Sequence, residues 1–147
     1  MSLTEQELAP ILVHCRELLF AEKQLEGIKG ERAEKVEQAL DHWQGSHGRT
    51  FSDRTEDEGR DIDARIAGLR TEADAWARAW ADTVNQINGA RREAAVEDER
   101  NSRGTGESFV DFFVGDDSDQ MVRSYTQVEV PTAETQYAST GGLERFD

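Results

Sequence analysis

Two stretches of the chain place apolar side chains every three or four residues, and each stretch predicts one long helix. The first covers residues 4–43. Its stripe is Leu8, Ile11, Leu12, Cys15, Leu18, Leu19, Leu25, Ile28, Val36, Leu40 and Trp43, with Ala21, Ala33 and Ala39 filling gaps. The opposite face carries Glu17, Glu22, Lys23, Glu26, Lys29, Glu34, Glu37 and Asp41. Thr4 and Glu7 fit a capping box. Pro10 conflicts with a start there, because a proline past the first turn loses a backbone bond, so the helix is expected to open at Ala9 or Pro10 after a short turn. The second stretch covers residues 46–102, with a stripe of Phe51, Ile62, Ile66, Leu69, Ala73, Trp76, Trp80, Val84, Ile87, Ala90 and Ala94. Its early part is weak. Between Asp53 and Asp63 six acids surround a single aliphatic residue, Ile62. Gly59, Gly68 and Gly89 each cost about 1 kcal/mol against alanine, although small residues on a stripe also let two helices approach closely.

Between the stretches lies Trp43-Gln44-Gly45-Ser46-His47-Gly48. Two glycines within four residues, after a bulky aromatic, predict a turn, with Ser46 placed to cap the second helix. A short turn sets the two stripes face to face and antiparallel. Forty residues of helix extend about 60 Å and fifty-five about 80 Å, so the second arm is expected to overhang or break. Two helices still leave much of each stripe open. That shortage of core predicts a homodimer, or a heterodimer with a sister hairpin.

Residues 104–147 change character. Gly, Ser, Thr, Asp and Gln dominate and no helical stripe persists. Nine acids against two bases give this tail a charge of −7, against 22 acids and 15 bases over residues 1–103. Most of it is expected to be disordered. Two apolar islands interrupt it. One runs from Phe109 to Val114, with Phe112 and Phe113, and is a candidate either to fold back on the open stripe of the hairpin or to dock a partner. The other runs from Tyr125 to Val130. The expected fold is therefore all-α, with an antiparallel, coiled-coil-like two-helix hairpin at 1–103 and an acidic, largely disordered tail at 104–147.

The whole chain has 147 residues, 33 % of them charged and 36 % hydrophobic, and a formal charge of −14. That balance suits a thin object with little core. A surface of this sign repels nucleic acid, whose affinity comes from cations that displace counterions, and repels anionic membranes too. No run of 18–20 apolar residues predicts a membrane span. The opening Met-Ser-Leu-Thr-Glu-Gln-Glu lacks the basic start and apolar stretch of a conventional signal peptide. Cys15 is the one cysteine, so no internal disulfide is expected.

Candidate chemistry is sparse. His42 and His47 flank the turn, but five apart across glycine is poor metal spacing, and they read as exposed turn residues. His14 and Cys15 are adjacent on a helix and do not face each other as a nucleophile pair would, so Cys15 reads as a small buried apolar residue. The acids from Asp53 to Asp63 do not follow a calcium-loop pattern and read as a solvated face. Leu18, Leu25, Leu69, Trp76 and Trp80 read as core or interface. No catalytic arrangement emerges, so no enzyme activity, cofactor or metal is expected.

Trp43-Gln44-Gly45 between two long helical stripes, with Phe51 eight residues after Trp43, resembles the WXG family. These are small, early-secreted-antigen-like helical hairpins exported by type VII (ESX) secretion systems. The resemblance covers residues 4–103. It implies that Trp43 and Gly45 form the hairpin turn and that Phe51 is the aromatic that comes after it. It further implies a helical dimer that engages the secretion ATPase. Localisation would then be secreted or cell-surface, without a cleaved signal peptide, and cytoplasmic before export. The family also carries a tyrosine with Asp or Glu four residues later as an export signal. Tyr125 and Glu129 match that spacing, about twenty residues further past the second helix than the family places it. An intracellular coiled-coil adaptor that is not exported is the alternative expectation.

Overall fold

The computed structural model describes residues 3–43, 45–103 and 127–145. Two helices, α1 (Leu8–His42) and α2 (Ser46–Arg103), form an antiparallel hairpin, and no strand occurs among the described residues. The chain enters α1 through a 3-10 turn at Glu5–Glu7. There the Thr4 amide donates to Glu7 Oε2 at 2.7 Å and the Glu7 amide donates to the Thr4 carbonyl at 3.0 Å. The bond from Thr4 holds the Glu7 carboxyl below its ordinary range. Capping at Thr4 and tolerance of Pro10 are thus both satisfied. The capped turn is 3-10, and Pro10 falls at the third position of α1, where an amide has no partner within the helix.

The reversal has two steric causes. Gly45 has φ +86°, a conformation that side chains with a Cβ rarely adopt. Gly48 is buried, and a Cβ there would sit 3.0 Å from the Trp43 carbonyl oxygen. The Arg49 amide donates to the Gly45 carbonyl at 3.2 Å, which starts α2. The Trp43 and Phe51 rings then meet across the turn, with centroids 5.1 Å apart and planes inclined by 59°.

Along the hairpin the packing divides into a base and a stalk. At the base, Leu8, Leu12, Cys15, Leu19 and Glu22 keep a 4-3-4-3 spacing on α1, and all are buried. They meet Ala73, Ala77, Trp80, Ala81 and Val84 of α2. Ala73 and Ala77 are 1 % and 0 % exposed, small enough for the helices to lie close. From Lys23 to Trp43 and from Arg49 to Glu72 no described residue is buried. Ile28 and Trp43 remain 48 % and 52 % exposed. The stalk is cross-linked by the exposed pairs Lys29–Asp63 and Arg32–Glu58.

Two expectations are corrected here, and of two alternatives for the second arm the overhang is the one observed. Glu22 belongs to the stripe rather than to the polar face. It continues the heptad spacing and is buried because Arg70 closes on it with three contacts of 3.1–3.3 Å. Gly59 and Gly68 do not serve a close helix approach, since a Cβ at either position meets nothing within 4 Å. The second helix does not break at its acidic stretch. It runs 58 residues against 35 for α1, and with Arg91 paired to Glu5 its last turns project beyond the start of α1.

Residues 127–145 return to the base and form a third layer. Val128 and Tyr137 join the buried core, with Ala133 and Leu143 packed against it. The segment has no helix or strand and holds a turn over residues 133–137 and a bend at Thr140. In that turn the Tyr137 amide donates to the Thr132 carbonyl at 2.7 Å and the Gln136 amide to the Ala133 carbonyl at 3.0 Å. This is a Schellman arrangement, with Gln136 at the left-handed position (φ 54°) where glycine is usual and Tyr137 left-handed as well (φ 53°). The low-hydropathy composition of the tail therefore does not describe this part of it.

Candidate functional site

The most built surface of the molecule is the groove at the base that holds residues 127–145. On α2, Asn85 and Asn88 stand one turn apart and each grips tail backbone twice. Asn85 donates to the Val128 carbonyl at 3.2 Å and accepts from the Val128 amide at 2.9 Å. Asn88, fully buried, donates to the Gly142 carbonyl at 3.1 Å and accepts from the Glu144 amide at 2.8 Å. Arg91 adds a bond to the Glu144 carbonyl at 3.1 Å. From α1, Arg16 reaches the Gln136 and Tyr137 carbonyls at 3.3 and 3.4 Å.

One tail side chain is read directly. The Tyr137 phenol is 0 % exposed and donates to Asp74 Oδ1 at 2.8 Å. Burial, reinforced by the Asp74 carboxylate, raises its pKa well above the ordinary tyrosine value. Beside it, Cys15 is fully buried with its thiol directed at the Ala73 carbonyl, 3.4 Å away. Desolvation pushes the thiol up to about 11. Both groups are thereby kept neutral at physiological pH, which suits packing and not nucleophilic chemistry.

At the opposite end, His42, Trp43, His47, Phe51 and Arg54 line a shallow cleft around the turn. Both histidines are exposed. Among the described residues no group of three or more His, Cys, Asp or Glu side chains is placed to hold a metal ion. None of the helices is long and apolar enough to cross a membrane.

The residues singled out from sequence separate. Trp43, Gly45 and Phe51 come together at the turn. Trp80 is 5 % exposed inside the chain's own core, and so is not free to meet a partner. Trp76 is half-buried, edge-on to His14 with ring centroids 6.1 Å apart, and Leu18 packs on the core beside it. Leu25 and Leu69 are half-buried on the stalk. Glu129 is exposed, while Tyr125, Phe109, Phe112 and Phe113 lie outside the described residues.

Sequence reasoning missed Asn85, Asn88, Arg16, Asp74 and Tyr137. One signal was present. Asn88 falls four residues after Val84 on the α2 stripe, and an asparagine on an apolar stripe needs a partner for its amide. Compared with known proteins, the chain matches no family model, no curated protein and no solved structure.

Proposed function

We propose that this chain is a type VII secretion-associated, WXG-like hairpin, exported as a substrate or serving as a helical partner, and that it works through protein–protein contact. The observation that carries the reading is the Trp43-Gln44-Gly45 sequence at the reversal between α1 and α2, with Gly45 in a left-handed conformation and Trp43 against Phe51. In this reading the secretion ATPase engages the chain before export, and Tyr125 and Glu129 form the export signal. The half-exposed stalk stripe supports association with a second hairpin, of this chain or of a sister chain. Ile28, Leu25 and Leu69 would lie at such an interface, while Trp80 is taken up within the chain.

The test is export of the tagged full chain by a host with an active type VII system, compared with the same host lacking the secretion ATPase. The reading expects the chain in the culture medium or at the cell surface of the first host alone, and retention inside the cell on Tyr125→Ala or Glu129→Ala. Retention in both hosts would replace it with the intracellular coiled-coil adaptor.

A further inference from the structure

We infer that the groove at the base of the hairpin is a peptide-binding site, which takes a segment bearing a branched apolar residue and, nine positions later at the end of a tight turn, a tyrosine. Residues 127–145 occupy it in cis, and the same segment of a second copy is its occupant in trans. The inference stands on the groove itself and does not rest on the export reading.

Three features of the groove support it. Asn85, Asn88, Arg91 and Arg16 all bond to the main chain of the segment, which is how a surface holds a peptide without regard to most of its side chains. Asn88 is 0 % exposed with the segment in place, and both ends of its amide are satisfied by segment backbone, so the groove and its occupant are matched at that position. Selectivity then falls to two positions, Val128 against the core and Tyr137 with its phenol on Asp74. The connection also permits exchange. Twenty-three residues separate Arg103 from Gln127 and reach about 75 Å when extended, whereas the helix between Asn88 and Arg103 rises about 22 Å. That contour length lets a segment reach its own groove or the groove of a second copy. It gives the segment an effective concentration of millimolar order.

The experiment uses the full chain with a specific protease site inserted between residues 104 and 126, and a fluorescent synthetic peptide of residues 127–145. Before cleavage, the chain at about 10 µM takes up little labelled peptide, because its own segment competes at millimolar effective concentration. After cleavage, the labelled peptide exchanges in and raises the anisotropy while helicity is unchanged. In the cleaved protein Asn88→Ala weakens uptake by about tenfold or more, and a peptide carrying Tyr137→Phe binds several-fold less tightly. A cleaved chain that keeps its helicity and takes up no peptide overturns the inference. So does loss of helicity when the cleaved segment is washed away, because the hairpin would then not persist as a receptor without its third layer.

Discussion

Leu19 and Ile28 lie on the same stripe of α1, yet Leu19 is 6 % exposed and Ile28 48 %. Nine residues separate the packed base from the open stalk. Helix propensity does not explain the contrast, because both regions are helical throughout. The number of layers does. Two helices cover each other along one seam, and at the base residues 127–145 close the sides that the seam leaves open. In the stalk nothing within the described chain does so, and exposed ion pairs such as Lys29–Asp63 contribute at most about 1 kcal/mol each. An amphipathic stripe is therefore not a core until something covers it.

The largest expected effect tests the base against the stalk directly. Trp80→Ala removes a side chain from the centre of the core and should cost about 3–5 kcal/mol in urea unfolding monitored by circular dichroism. Leu40→Ala, a comparable stripe position in the stalk, should cost less than half of that. Equal losses would mean that the two regions are packed alike.

Next comes the pair that bounds the base. Arg70→Ala leaves Glu22 buried without its partner and should cost about 2 kcal/mol, a value reduced because Arg70 is itself 44 % exposed. Glu22→Leu removes the buried charge and should be close to neutral in the same assay. If both changes were equally damaging, the pair would be stabilising beyond the charge it satisfies.

Alkaline pH should loosen the base by a similar amount. Cys15 and Tyr137 have folded pKa values above their unfolded ones. Their contribution is complete below about pH 9 and is lost as pH rises towards 11, by on the order of 2 kcal/mol. Stability measured from pH 8 to 11 should fall, and the double variant Cys15→Ala with Tyr137→Phe should flatten that fall. A pH-independent stability would show that neither group ionises on unfolding.

The smallest effects belong to the glycines. Gly45→Ala must hold a left-handed backbone and should lower stability by about 1 kcal/mol. Gly27→Ala and Gly59→Ala enter open space on a helix, so each should raise it by about 0.5–1 kcal/mol. Midpoints from thermal unfolding distinguish the signs.

The hairpin itself was legible because its causes are local. Spacing of three and four marks the stripes, and Trp43, Gly45 and Gly48 mark the one place where a long helix must stop. Glu22 was misplaced because residue type was weighed above position, although it continues the spacing of Leu12, Cys15 and Leu19. The third layer was not legible for a different reason. Residues 127–145 hold no periodic pattern, and Asn85 and Asn88 bind them through backbone, which every sequence possesses. Tyr137 reaches Asp74 across 63 residues, a partnership that no spacing rule encodes.

One end of the hairpin is a three-layer core and the other a thin pair of helices. Native-state hydrogen exchange on the full chain, read residue by residue, tests it most directly. Amides of residues 12–22 and 77–88 should exchange only through global unfolding, while those of residues 26–42 and 50–68 should open at markedly lower free energy. Uniform protection along both helices, or stronger protection in the stalk, would contradict it.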